Sequence, residues 1–344
     1  MLRRQLLAAA ALLAASSAAN ARDLTVVARG ETMPTAARQI FVQPFSVATG
    51  IRTKLQSWHG GLDALNAQIK TPDNTWDVVE VNADELAAGC ADGTFQKLDW
   101  SAIGGKAHYQ SQGVSDCGVG ATMSNLVLAW DRDKFQAAPS WADFWDVAKY
   151  PGKRGLRRGV RGNLEFALMA DGAAPADVYK ILATSEGVDR AFRKLDQLKP
   201  YIVWWQNGAE AAHILGSGAV LMTTAPSGWI ATANWTQHRN FGIQWNASLY
   251  KVHSWAILRD SPNTAQAQQF LYYIGTPAIQ GRLFQITGNA GLTFAANDGL
   301  LPDQLAASPT NPTNLKVAVP LDTAFWHANL AKLQQRFDAW LAGH

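Results

Sequence analysis

Two groups able to hold an anion, and an indole beside them, sit on one short apolar segment. In "LYKVHSWAIL", residues 249–258, side chains of an extended chain alternate between faces. Lys251, His253, Trp255 and Ile257 therefore share one face, and Tyr250, Val252, Ser254 and Ala256 the other. An ammonium and an imidazole are out of place on a buried strand unless that face opens on a polar cavity. Taken singly, Lys251 could reach solvent along its own stem, and His253 could be a satisfied structural histidine.

Groupings that would make a catalyst are missing. Ser115, Ser217 and Ser227 lack the flanking glycine pair of a nucleophile elbow. No H-E-x-x-H occurs and the seven histidines are scattered, so no catalytic or metal centre is expected. "GNAGLTFAANDG" lacks the Lys-Ser/Thr of a phosphate loop and reads as an ordinary loop. "GKRGLRRGVRGN" gathers Lys153, Arg154, Arg157, Arg158 and Arg161; it reads as a solvated turn, with an anion-attracting rim as the sharper alternative.

The compartment follows from the first residues. Arg3 and Arg4, the apolar stretch Leu6 to Ala15 and the triplet Ala19, Asn20, Ala21 have the form of a secretory leader cleaved after Ala21. The apolar run is shorter than the ~20 residues needed to span a bilayer, so an exported, periplasmic product is expected. The 30 basic and 27 acidic residues leave +3, or +1 once Arg3 and Arg4 go with the leader. That balance provides no electrostatic footprint for nucleic acid. Cys90 and Cys117 most simply form a disulfide in an exported chain, with two buried free thiols or a metal site as the alternatives.

Elements that would position these groups alternate along the chain. "DLTVVARG", "WDVVEV", "SNLVLAWDRDKF", "YIVWWQNG" and "GAVLMTTAPSG" have strand character, and "PTAARQIFVQPFSVATG" is helix-like up to Gly50. Asn82 and Asp84 are placed to cap the helix after "WDVVEV". "SWADFWDV", "LEFALMADG", "GVDRAFRKLDQLKP" and "NTAQAQQFLYYIG" have helical spacing. Such alternation predicts an α/β fold with largely parallel sheets. At 344 residues and 48% hydrophobic, the chain exceeds the usual single core, which predicts two lobes. Fourteen tryptophans suit lobe packing and a cleft that grips an organic solute.

The ordered series "FVQPFSVATGI", "WDVVEVNADEL", "CGVGATMSNLVLAWDRDKF", "SWADFWDVAKYPGKRGLRRG", "LEFALMADGAAPADVYKIL", "IVWWQNGA" and "LYKVHSWAI" resembles the extracellular solute-binding proteins of ABC importers. It is most similar to the branch of the spermidine/putrescine-binding proteins, across essentially the whole mature chain, and the Cys90/Cys117 pair fits that branch. The resemblance implies a type II two-lobed periplasmic-binding-protein fold, with mixed, mostly parallel sheets flanked by helices and a hinge between the lobes. Expected lobes are 22–129 plus 254–296 and 130–253 plus 297–344. It implies a monomer without cofactor that does no chemistry and delivers a small solute to a membrane permease served by a cytoplasmic ATPase.

Polyamine binders of this branch use acids and aromatics in the cleft. Position by position, this chain departs from them: His253 and Lys251 replace the acid near the end of the strand, Pro226 precedes Ser227 where an aromatic is expected, Gln206 follows the tryptophan pair with Glu210 four residues on, and Arg29 ends the first strand. The expected ligand set is Arg29, Glu31, Asn82, Asn163, Trp205, Gln206, Glu210, Pro226, Ser227, Lys251, His253 and Trp255. Arg29, Lys251 and His253 would form a donor-rich wall facing Trp205 and Trp255. A carboxylate-bearing or zwitterionic solute, an amino-acid derivative or opine-like molecule, fits that wall better than a polyamine. The alternatives are a polyamine binder with relocated acids (Glu31, Glu80 or Glu210) and an exported enzyme on this fold.

Overall fold

The computed structural model describes residues 22–30, 33–71 and 73–343. The expected leader, 1–21, and Glu31 lie outside the described residues. Nine strands form one curled sheet in the order β2-β1-β3-β8-β4-β7-β5-β6, with β9 alongside β8. They are β1 (Leu24–Arg29), β2 (Thr53–Trp58), β3 (Val78–Asn82), β4 (Gly118–Asp131), β5 (Arg154–Arg157), β6 (Ile202–Trp205), β7 (Met222–Pro226), β8 (Phe241–Ile257) and β9 (Val319–Pro320). The mixed sheet agrees with expectation: β1–β2, β1–β3, β5–β6 and β5–β7 are parallel. β8 is antiparallel to both β3 and β4, and β4 to β7.

Adjacent residues on each strand feed opposite faces of the sheet, as period-2 geometry requires. In the first half Val26, Val78, Trp255 and Ile257 join one core, while Val27, Val79 and Ala256 join the core behind the sheet. In the second half Leu128 and Leu156 pack with Phe166, Trp326 and Phe337; Ala129, Trp205 and Ala225 form the opposite layer. The long strands β4 and β8 run through both halves. Their pairing breaks register twice, between Gly120 and Thr122 and between Leu126 and Leu128. Such bulges bend and twist a strand pair, and here they lie where the halves meet.

Local signals behave as capping chemistry demands. Asn82 accepts from the Glu85 N–H and Glu85 returns a bond to the Asn82 N–H, starting the helix Ala83–Ala91. Gly50 ends the helix Gln43–Thr49 in the left-handed conformation, φ 72°. Cys90 and Cys117 are joined, Cα atoms 5.6 Å apart, tying that helix to the start of β4.

The basic run is corrected in part. Arg154–Arg157 is a strand, held between β6 and β7, not a solvated turn. The Arg154 side chain is fully buried and donates to the carbonyls of Phe144, Gly152, Asp146 and Tyr150. Burial pulls its guanidinium down to about 10.

Candidate functional site

A cavity of about 330 Å³ opens between the two halves, beside the middle of β4 and β8. Its floor comes from the opening strand. On one face of β8, Ile257 and Trp255 enter the core of the first half, whereas His253 and Lys251, further back along the same face, reach the cavity. The alternation is therefore real, but Trp255 does not line the site: it is fully buried, edge-on to Phe41 and Phe270 at 6.0 Å. The correction has a simple cause. The sheet carries one face of β8 from core to cleft within a few residues.

The other wall stands at the carboxyl ends of β5, β6 and β7, the position where open α/β sheets bind ligands. Each strand leads into a helix whose first turn borders the cavity: Gly162 before Asn163–Ala170, Asn207 before Gly208–Gly216 and Pro226 before Ser227–Thr236. Three helix amino termini add partial positive charge there. Arg157 and Arg161, on the turn after β5, also line the cavity. Of the basic run, these two reach the cavity.

Asn163 does not line the cavity; it is buried and donates to the carbonyls of Arg157 and Gly159, which fixes the turn carrying the arginines. Trp205, Gln206 and Pro226 line it, as does Trp229. A Cβ on Gly208 would stand 2.1 Å from the Trp229 ring, so only glycine lets this indole lie there. Glu210 is spent on the Gln206 N–H and the Asn207 side chain. Ser227 is buried, its hydroxyl facing the Asn125 N–H at 3.4 Å.

Arg29 is also committed elsewhere. Its guanidinium pairs with Glu85, lies 5.4 Å from the Trp58 ring and presses on Gly60. The expected wall of Arg29, Lys251 and His253 is thus replaced by Arg157, Arg161, Lys251 and His253. Asn82, bound into its capping box, stays outside the cavity as well.

Charge in the cavity is one-sided. No Asp or Glu is among the described lining residues. Burial and the charges of Arg157, Arg29 and Arg161 bring the Lys251 ammonium down to about 8, against a smaller opposite pull from Glu80. The lysine side chain is exposed toward the cleft. Burial, together with Arg161, also lowers Arg157. The His253 Nδ1 lies 3.3 Å from Glu80 Oε1, and Glu80 is fully buried behind it. Burial moves His253 below its usual range, opposed by the contact with Glu80. Three lining side chains keep buried polar atoms with no partner among the described residues: Arg161 Nε, Trp205 Nε1 and Asn125 Oδ1. These atoms are open to a polar partner in the cavity.

Residues 41–313 match the family of bacterial extracellular solute-binding proteins. The chain is 40% identical over 331 residues to the gamma-aminobutyric acid-binding protein of Pseudomonas aeruginosa, covering 96% of this chain and 94% of that one. Among solved structures, a GABA receptor aligns with a TM-score of 0.80 at 28% identity, covering 94% and 98% of the two chains. The periplasmic binding protein MotA of A. tumefaciens B6, in complex with glucopine, aligns with a TM-score of 0.75 at 26% identity, covering 93% and 99%. The chain belongs to the bacterial extracellular solute-binding proteins, the components of ABC importers that capture a small solute and hand it to the permease, and it is not an enzyme.

Proposed function

We propose that this protein captures a small carboxylate-bearing or zwitterionic organic solute in the cavity between its lobes. The observation that carries this reading is the lining itself: Arg157, Arg161 and Lys251 with three helix amino termini, and no acid among the described lining residues. An arginine fork matches a carboxylate, and each charge-assisted bond is worth roughly 1.5–3 kcal/mol. A polyamine would meet only like charge there. Trp205 and Trp229 supply faces for a short methylene chain. The relatives named for gamma-aminobutyric acid and glucopine support the same solute class.

The protein works in the periplasm as a monomer after loss of residues 1–21, beside a permease driven by a cytoplasmic ATPase. Arg22, the first residue of that product, is built into the first lobe by a two-pronged pair with Asp77 at 2.7 and 2.9 Å. The lobes are 22–129 plus 254–296 and 130–253 plus 297–344, a division supported by Trp130 and Leu249 packing in the second core and Trp255 in the first, with Leu128 also in the second. The solute closes them by binding the closed form better.

A thermal-shift panel tests the reading, since a ligand at a hundred times its Kd adds about 2.7 kcal/mol of stability. Amino-acid-type carboxylates should give the largest shifts. A larger shift with putrescine or spermidine would reverse the assignment.

A further inference from the structure

We infer that His253, held in one tautomer by Glu80, is the acceptor that recognises an ammonium group on the ligand, at the end away from the carboxylate. This rests on the carboxylate reading above and sharpens it: the solute is an amino acid whose amine is separated from its acid, not a plain carboxylate or a dicarboxylate.

The geometry begins with Glu80, a fully buried carboxylate on β3. Its Oε2 accepts the Arg29 backbone N–H at 3.0 Å, and its Oε1 faces His253 Nδ1 at 3.3 Å. The Arg29 guanidinium does not serve it, being paired with Glu85. Among the described residues, Glu80 therefore has no full cationic partner, and a buried charge of that kind is costly. A carboxylate only accepts, so the nitrogen facing it carries the hydrogen. The other ring nitrogen, Nε2, is then a lone-pair acceptor, and His253 is a lining residue of the cavity.

An imidazole backed by a carboxylate presents negative potential in a cavity that is otherwise basic. A ligand ammonium set against Nε2 would complete the charge that Glu80 lacks, through the ring. Asn125 Oδ1, buried and without a partner, is a second acceptor on the same cavity. Lys251, two residues along the same face of β8, has the like charges of Arg157, Arg29 and Arg161 around it. The charged groups acting on His253 are Glu80 from β3, Arg29 from β1 and Lys251 from β8, with Arg157 and Arg161 also lining the cavity; β4 offers Thr122, Ser124, Asn125 and Leu126 to the lining, none of them charged.

The test is titration calorimetry of the full-length mature protein with γ-aminobutyrate, butyrate and succinate. At pH 7.5 γ-aminobutyrate should bind roughly tenfold to a hundredfold tighter than butyrate, the range of one charge-assisted hydrogen bond, and succinate should not replace it. His253→Ala should collapse that ratio, with γ-aminobutyrate falling toward the affinity of butyrate. In Glu80→Gln the amide oxygen must face the Arg29 N–H, so its NH₂ faces Nδ1 and turns Nε2 into a donor; amine preference should vanish with the ring still present. Protonating the ring, which burial moves below the usual histidine range, removes the acceptor, so as the pH is lowered γ-aminobutyrate should weaken before butyrate does. Equal affinity for γ-aminobutyrate and butyrate on the native protein, or an unchanged ratio in His253→Ala, overturns this inference and leaves the carboxylate reading intact. Failure of all three acids to bind overturns both.

Discussion

The Trp326 indole nitrogen donates a 2.7 Å hydrogen bond to the Glu165 carboxylate, deep in the second lobe. Glu165 also accepts from the Tyr179 hydroxyl and the Gly162 N–H, and burial holds its carboxyl above the usual range. The upper face of the same indole lies 5.7 Å from the Arg161 guanidinium. One tryptophan thus anchors a buried acid and supports an arginine of the cleft. Trp326→Phe keeps the aromatic packing but removes a donor, and should cost about 1–3 kcal/mol in urea unfolding. A shift smaller than about 0.5 kcal/mol would show that the bond is incidental.

Arg154 gives a sharper stability prediction. Its buried fork serves four carbonyls in the turn before β5. Arg154→Met strands those acceptors and should cost about 3 kcal/mol or more. Arg154→Lys should recover only part of this, because an ammonium cannot reproduce the planar fork. Denaturant midpoints of the three proteins decide it.

Lys251 predicts opposite pH trends for binding and folding. Its ammonium titrates near 8 in the folded protein and near the ordinary 10.5 unfolded. Between these values the unfolded chain holds more protons, so this group makes the empty protein more stable as pH rises. A bound carboxylate needs the proton, so affinity should fall above about pH 8. Lys251→Met should abolish both trends, and calorimetry at pH 7, 8 and 9 would read them.

The Cys90–Cys117 bridge closes a loop of 27 residues in sequence separation. In the chain-entropy model that is worth about 3–4 kcal/mol. Replacing both cysteines with alanine should lower the unfolding midpoint accordingly, and an intact mass two hydrogens short of the dithiol should identify the bridge in exported protein. The same mass should begin at Arg22.

Lobe closure should be visible in solution. Small-angle scattering of the protein with a saturating carboxylate ligand should show a smaller radius of gyration than without it. An unchanged radius at saturation would remove the hinge motion from the mechanism.

Local chemistry was legible along the chain because each signal concerns neighbours in sequence. The helix ending at Gly50, the cap at Asn82 and the period-2 faces of β8 depend on backbone sterics and on side chains a few residues apart. The cysteine pair and the ordered motifs carried the family. Tertiary structure decided what those local rules leave open. Whether a face of β8 is core or cleft depends on the strands beside it, so Trp255 went inside while Lys251 and His253 came out. Arg29 was lost to the site because Glu85, 56 residues away, claimed its guanidinium. Arg157 and Arg161 were hidden in a run of like charges, and only the parallel pairing of β5 separated the buried Arg154 from the pair that lines the cavity. Charge composition is a property of the chain, but the sign of a cavity belongs to the few side chains that folding turns toward it.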